Sequence, residues 1–329
     1  MLRLFIFIFC FPILSFSFSC DSITISNISN PGPYSVISYD EPSGIRNGVY
    51  YDGATIYCPV NGTNLSSIVL VPGFMNTEFT IQNWGPFLAS YGIVTMTIGT
   101  NSLADDEFDR RDALQDAIIS LKEENTRFLS PIFGRIDLNS ISVGGFSKGG
   151  GGAQLLAKID SSLKSVVSLY PFIENPVASD FNHGIPTIII SGQLDIIAPP
   201  ALHADIHYDY IPMTTNKLKF EVALGSHDAL LGPNGASGEV GVRVLSWLAN
   251  YVLNDNCYCP LITTIPTFSS QYLNNINCGL SSIHEISNFS DLNTKRVFDL
   301  FGRISKVKSN HLLFYQNSDG IISKKLIIE

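Results

Sequence analysis

The chain has 329 residues, 45% of them apolar and only 15% charged, enough for one large core and a small appendage. Its formal charge of −9 argues against a nucleic-acid partner, which needs a basic face. No internal repeat or biased tract points to a solenoid or to disorder.

The first twenty residues, "MLRLFIFIFCFPILSFSFSC", carry one Arg and then an apolar run interrupted by Pro12. That is the layout of a secretory signal peptide covering 1–19, with Ser17 and Ser19 small enough for the cleavage site. The run is short for a membrane anchor and decays into Ser/Phe alternation. The residues before Cys20 lack the Leu-rich pattern that precedes a lipidated cysteine. No later stretch is long and apolar enough to span a bilayer, so no stable membrane insertion is expected once the leader is removed. An exported mature chain keeps Cys20, Cys58, Cys257, Cys259 and Cys278, an odd number in an oxidising compartment. One or two disulfides are expected, and spacing leaves their pairing open. The "CYC" at 257–259 has no second ligand pair to make a zinc site.

Short β-branched-rich runs follow at 66–71, 92–98, 140–145, 163–170, 186–191 and 219–224, each suited to a strand buried on both faces. Between them, 108–126 places Leu114, Ala117, Ile118 and Leu121 on one helical face. Residues 238–255 do the same with Val240, Val244, Trp247, Leu248 and Tyr251. The alternation predicts an α/β fold with a mostly parallel central sheet flanked by helices. After Pro260 the sequence turns polar and turn-rich, and 261–279 reads as a linker. Beyond it, 280–329 reads as a small β-sandwich-like module punctuated by Gly302, Asn317 and Gly320.

Residues 144–153, "GGFSKGGGGA", set one serine in a glycine run, and Gly145 to Gly149 fit G-x-S-x-G between a strand and a helix. In such an elbow a sharp turn exposes the serine hydroxyl. The flanking glycines lack a Cβ, which lets strand and helix approach. Gly150 to Gly152 cost the helix roughly 1 kcal/mol each relative to alanine, a cost that close packing would justify. The run lacks the residue order of either phosphate-binding glycine motif. A nucleophilic serine needs a base and an orienting carboxylate, in the chain order Ser, acid, His. Strand 186–191 is followed by Asp195, and strand 219–224 by His227. Asp228 is too close in sequence to His227 to orient its ring. His183 precedes Asp195, and His284 and His311 lie beyond the linker. His203 and His207 have the i, i+4 spacing of a metal-binding helix but lack the Glu of H-E-x-x-H, and read as a solvated helix face. The oxyanion donors are expected to be the backbone N–H groups of Lys148, after the serine, and of Phe74, after the third strand. Such chemistry requires no cofactor and no metal.

From about residue 32 to 262 these residues resemble the secreted bacterial cutinases and poly(ethylene terephthalate) hydrolases, α/β-hydrolases related to dienelactone hydrolases. The likeness rests on "GPYSV", "VPGF", "GFSKGGGG", "LYPF", "DIIAPP" and "GSHDA" in the family's order. The resemblance implies an α/β-hydrolase domain over 20–260, without a lid, whose shallow cleft accepts polyester chains. It implies Ser147 as nucleophile, His227 as base, Asp195 as its partner, and Phe74 and Phe172 as substrate-binding rings. Two departures stand out: Phe172 replaces the family's usual Trp, and Lys148 replaces its usual Met, adding a cation at the cleft. The segments "KRVFDLFGR" and "SDGIISKKLIIE" resemble the C-terminal sorting domain of Bacteroidota cargo of the type IX secretion machinery, against a rival reading as a substrate-binding β-module. The expected protein is a monomeric, secreted or cell-surface serine esterase acting on polyester, cutin-like or aromatic, and on short-chain esters. Small soluble esters or lipids are the alternative substrates, and a non-catalytic binding protein the alternative class.

Overall fold

The computed structural model describes residues 20, 23–40, 48–227, 232–278, 294–298, 303, 312–317 and 322–326. The expected signal peptide, Asp228, Gly302 and Gly320 lie outside them. The chain divides into two compact units, Met1–Cys278 and Gly279–Glu329.

The first unit is built on a nine-stranded sheet: β1 (Val36–Asp40), β2 (Ala54–Pro59), β3 (Leu65–Val71), β4 (Val94–Ile98), β5 (Ile136–Phe146), β6 (Val166–Leu169), β7 (Thr187–Gly192), β8 (Lys217–Val222) and β9 (Ser269–Asn274). Their spatial order is β1-β2-β4-β3-β5-β6-β7-β8-β9. The six strands from β4 to β8 in that order run parallel, while the β1–β2, β2–β4 and β8–β9 pairings are antiparallel. The helices are α1 (Ile25–Ile28), α2 (Trp84–Ala89), α3 (Glu107–Glu124), α4 (Lys148–Ile159), α5 (Ala204–Tyr210), α6 (Glu239–Tyr251) and α7 (Cys259–Thr263).

Alternate side chains of each buried strand serve opposite layers. Ile68 and Leu70 of β3 join a cluster with Trp84 and Leu88 of α2 and Val240, Val244 and Trp247 of α6. Val69 and Val71 join Ala113, Leu114, Ala117 and Leu121 of α3 and Ala153 and Leu156 of α4. The helical faces read from the sequence are therefore the core-facing ones, and the family's α/β-hydrolase architecture is present. Asp106 caps α3, accepting the N–H groups of Phe108 and Asp109 at 2.8 and 2.9 Å.

The stretch expected as a linker is instead part of the first unit. Residues 259–263 form α7, and β9 pairs with β8 at the sheet edge. A disulfide between Cys259 and Cys278 brackets the segment, and Asn275 accepts the Lys217 N–H at 2.8 Å. An edge strand with one solvated side tolerates polar residues, which is why "SSQYLN" carries no apolar alternation. A second disulfide joins Cys20 to Cys257, and Cys58 is free and buried. A Cys20 sulfur held in a disulfide cannot also carry a lipid thioether.

In the second unit, β10 (Thr294–Phe298), β11 (Leu312–Asn317) and β12 (Ile322–Leu326) form a three-stranded antiparallel sheet.

Candidate active site

Five segments leave the carboxyl edge of the parallel sheet side by side, the usual place for a ligand site in open α/β folds. They follow β3, β5, β6, β7 and β8, and carry Phe74, Ser147, Phe172, Asp195 and His227.

Ser147 sits between β5 and α4 with φ 54° and ψ −121°, a region that side-chain-bearing residues rarely adopt. Its N–H donates to the Leu169 carbonyl at 2.8 Å, and its carbonyl accepts from the N–H groups of Gly151 and Phe172, both at 3.0 Å. Those bonds hold the strained turn. A Cβ on Gly145 would lie 2.5 Å from the Gly149 carbonyl carbon, and one on Gly149 2.5 Å from the Pro72 oxygen. The rest of the run serves packing of the helix start. A Cβ on Gly151 would meet the Phe172 oxygen at 2.2 Å, and one on Gly152 the Glu107 oxygen at 2.8 Å.

Asp195 follows β7 and is buried, with Oδ1 accepting the N–H groups of Ile197 and Ala198 at 2.9 and 2.8 Å. Its Oδ2 lies 2.7 Å from His227 Nδ1, and His227 Nε2 lies 2.9 Å from Ser147 Oγ. With Nδ1–H donating to Asp195, Nε2 is left as the acceptor for the serine hydroxyl. The Phe146 ring packs on the imidazole, centroids 4.9 Å apart. Three side chains distant in sequence thus form one hydrogen-bonded line, a geometry in which an imidazole can accept a hydroxyl proton beside a buried carboxylate.

Lys148 opens α4, so its N–H has no intrahelical acceptor. A Cβ on Gly73 would lie 2.9 Å from the Ser147 Cβ, which brings the Gly73–Phe74 peptide beside that serine. Arg110 holds that loop, donating to the carbonyls of Pro72 and Leu103 at 3.1 and 3.2 Å, and Met75 N–H donates to Leu103 at 2.7 Å. Burial pushes the Arg110 guanidinium down to about 10. Around the line, Phe74, Met75, Leu194, Ile196, Ile197 and Leu224 are all exposed, an apolar rim in which Ile196 reaches 89% exposure.

His203 and His207 do not lie on a solvated face. His207 is fully buried, with Nδ1 3.1 Å from Gln154 Nε2, and His203 stacks on the Phe172 ring, centroids 4.3 Å apart. Burial lowers the affinity of both rings for a proton, which keeps them neutral and compatible with an apolar setting. Their apolar neighbours Phe181 and Phe172 come from distant segments, so helical spacing alone misassigns them. No group of three or more His, Cys, Asp or Glu side chains among the described residues could hold a metal ion. Nor is Lys148 a free cation: its Nζ is 3.1 Å from Glu107 Oε2. Glu107 and Arg110 escape the sequence reading because nothing in their local pattern departs from an ordinary helix start.

The profile of the PET hydrolase-like family matches residues 22–278. Among similar curated proteins, cutinase est1 of Thermobifida alba is 32% identical over 234 residues, 70% of this chain and 75% of its own length. Cutinase 1 of Thermobifida cellulosilytica is 33% identical over 236 residues, covering 70% and 86%. The bis(hydroxyethyl) terephthalate hydrolase of Streptomyces coelicolor is 33% identical over 236 residues, covering 70% and 72%. With the sheet order and the residues gathered at its carboxyl edge, these likenesses establish that the chain belongs to the PET hydrolase-like family, ester hydrolases of the α/β-hydrolase fold.

Proposed function

We propose that this protein is a secreted serine esterase that cleaves polyesters and short-chain acyl esters through an acyl-enzyme. His227 Nε2 takes the Ser147 proton as Oγ attacks the ester carbonyl, and Asp195 stabilises the imidazolium. The N–H groups of Phe74 and Lys148 hold the oxyanion, worth about 3–4 kcal/mol for a single well-placed donor. The imidazolium protonates the leaving alcohol, and water then repeats the sequence on the acyl-enzyme. The observation that carries this reading is the unbroken Asp195–His227–Ser147 hydrogen-bonded line, at 2.7 and 2.9 Å.

The exposed apolar rim favours an extended apolar substrate over a small soluble ester, since a free monomer gains little from surface far from the scissile bond. Phe74 and Phe172 are the rings against which an acyl group would pack. Two disulfides suit an exported protein, in keeping with residues 1–19 as a signal peptide and with the second unit as a type IX sorting domain that leaves the enzyme outside the cell or on its surface.

Hydrolysis of p-nitrophenyl butyrate by the wild type, and its loss in Ser147→Ala, tests the chemistry. Persistence in the variant would refute it, and failure of the wild type to label with a fluorophosphonate would favour a non-catalytic binding role. Product release from an amorphous polyester film, against soluble esters, tests the substrate. Export is tested by finding the protein, processed before Cys20, outside the producing cell.

A further inference from the structure

Lys148 is half of a partly buried ion pair that the esterase mechanism does not require. Its ammonium lies 3.1 Å from Glu107 Oε2, and the Glu107 side chain is only 2% exposed. Glu107 Oε1 accepts the Glu174 N–H at 2.7 Å, in the loop that carries Phe172. A carboxylate fixed at one oxygen by a backbone amide and hidden from water is a stiff anchor, and it needs a cation. Arg110 adds positive charge nearby, but its two terminal nitrogens donate to the Pro72 and Leu103 carbonyls and do not pair with the carboxylate directly. Lys148 does, and from that fixed point its ammonium lies 5.5 Å from the centre of the Phe74 ring and 5.6 Å from that of Phe172. One cation therefore contacts both rings of the cleft, each within cation–π range. Phe172 is further backed by His203, whereas Phe74 is half exposed.

We propose that Lys148 is a positioning residue: anchored on Glu107, its ammonium holds the Phe74 and Phe172 rings in fixed places and so sets the preference for aromatic over aliphatic acyl groups. This rests on the esterase reading above. A methionine at 148 would fill the same space but could neither pair with Glu107 nor attract the ring faces. An arginine could do both.

The test is steady-state kinetics of the full chain on bis(hydroxyethyl) terephthalate and p-nitrophenyl butyrate, for wild type, Lys148→Met, Lys148→Arg, Glu107→Gln and the Met/Gln double variant. Rates are normalised to sites titrated with a fluorophosphonate. Lys148→Met is expected to lower the aromatic-to-aliphatic ratio of kcat/KM about five-fold, mostly through KM for the aromatic ester, as the loss of two weak cation–ring contacts implies. Lys148→Arg should restore most of the ratio. Glu107→Gln should move it in the same direction as Lys148→Met, and the double variant no further than either single one. An unmoved ratio, a proportional loss on both esters, or Met and Arg behaving alike would overturn the proposal. So would loss of labelling in both Lys148→Met and Glu107→Gln, which would make the pair merely structural. A wild type that labels while the ratio stays fixed sinks this proposal alone; a wild type that neither labels nor turns over sinks the esterase reading with it.

Discussion

The strain at Ser147 can be isolated by comparing two variants that lack its hydroxyl. Both Ser147→Ala and Ser147→Gly remove the hydroxyl, but only the second removes the Cβ that φ 54° with ψ −121° disfavours. A side-chain-bearing residue held in such a region costs about 1–3 kcal/mol. Glycine gives back part of that by making the unfolded chain more flexible, about 0.4–1 kcal/mol. The glycine variant should thus exceed the alanine variant by about 0.5–2 kcal/mol, with Tm shifted by roughly 2–4 °C for each kcal/mol. Urea unfolding followed by fluorescence of Trp84 and Trp247, both buried and therefore responsive to loss of the core, measures the difference with disulfides intact. A glycine variant no more stable than the alanine variant would show that the elbow is unstrained, and that reasoning from its dihedrals fails.

Other outcomes follow from the same geometry. Asp195→Asn keeps an acceptor for the Ile197 and Ala198 amides but turns its NH2 toward His227 Nδ1, leaving Nε2 protonated and unable to accept from serine; kcat on p-nitrophenyl butyrate should fall about 10³–10⁴-fold, and a loss below tenfold would contradict the assigned tautomer. Gly151→Ala drives a methyl into the Phe172 carbonyl and should destabilise by about 1–3 kcal/mol, whereas Gly184→Ala meets open space and should be neutral or slightly stabilising in the same urea titration. Burial pushes His183 down to about 4 from 6.5, so the unfolded chain takes up the proton first. Its contribution, on the order of 3 kcal/mol, is complete above pH 6.5 and lost as pH falls toward 4; urea midpoints at pH 7.5 and 4.5 should show the fall, and His183→Gln should flatten it. Replacing Cys259 and Cys278 by serine opens a short loop and should cost about 3 kcal/mol by loop-closure entropy, read from the same midpoints.

What the sequence made legible follows from how local its signals are. The six parallel strands are buried on both faces, so each appears as a continuous β-branched run, and α3 and α6 show their apolar faces at helical spacing. The elbow is legible because strand, serine and glycines are contiguous. Asp195 and His227 are legible because each stands just past a strand. The edges behave differently: β1 and β9 each have a solvated side, and β9 carries its pairing through Asn275 and a disulfide rather than an apolar stripe. His203, His207 and the Lys148–Glu107 pair were misread or missed for one reason. Whether a polar side chain is solvated depends on what the fold lays over it, and its neighbours in sequence do not carry that information.

The glycine run joins these two kinds of information. Its first members permit the turn at Ser147, which local sequence explains. Its later members let three segments close on the start of α4: the Pro72 loop against Gly149, the Phe172 loop against Gly151, and the first turn of α3 against Gly152. The first supplies the Phe74 amide, the second the aromatic wall, and the third the carboxylate that pairs with Lys148. Each glycine forgoes about 1 kcal/mol of helix propensity, a loss offset only if the approach it permits is used. The helix start is therefore where the Phe74 loop, the Phe172 loop and the Lys148–Glu107 ion pair are brought together. Substitutions there should couple to one another, while those elsewhere on the sheet edge should add independently.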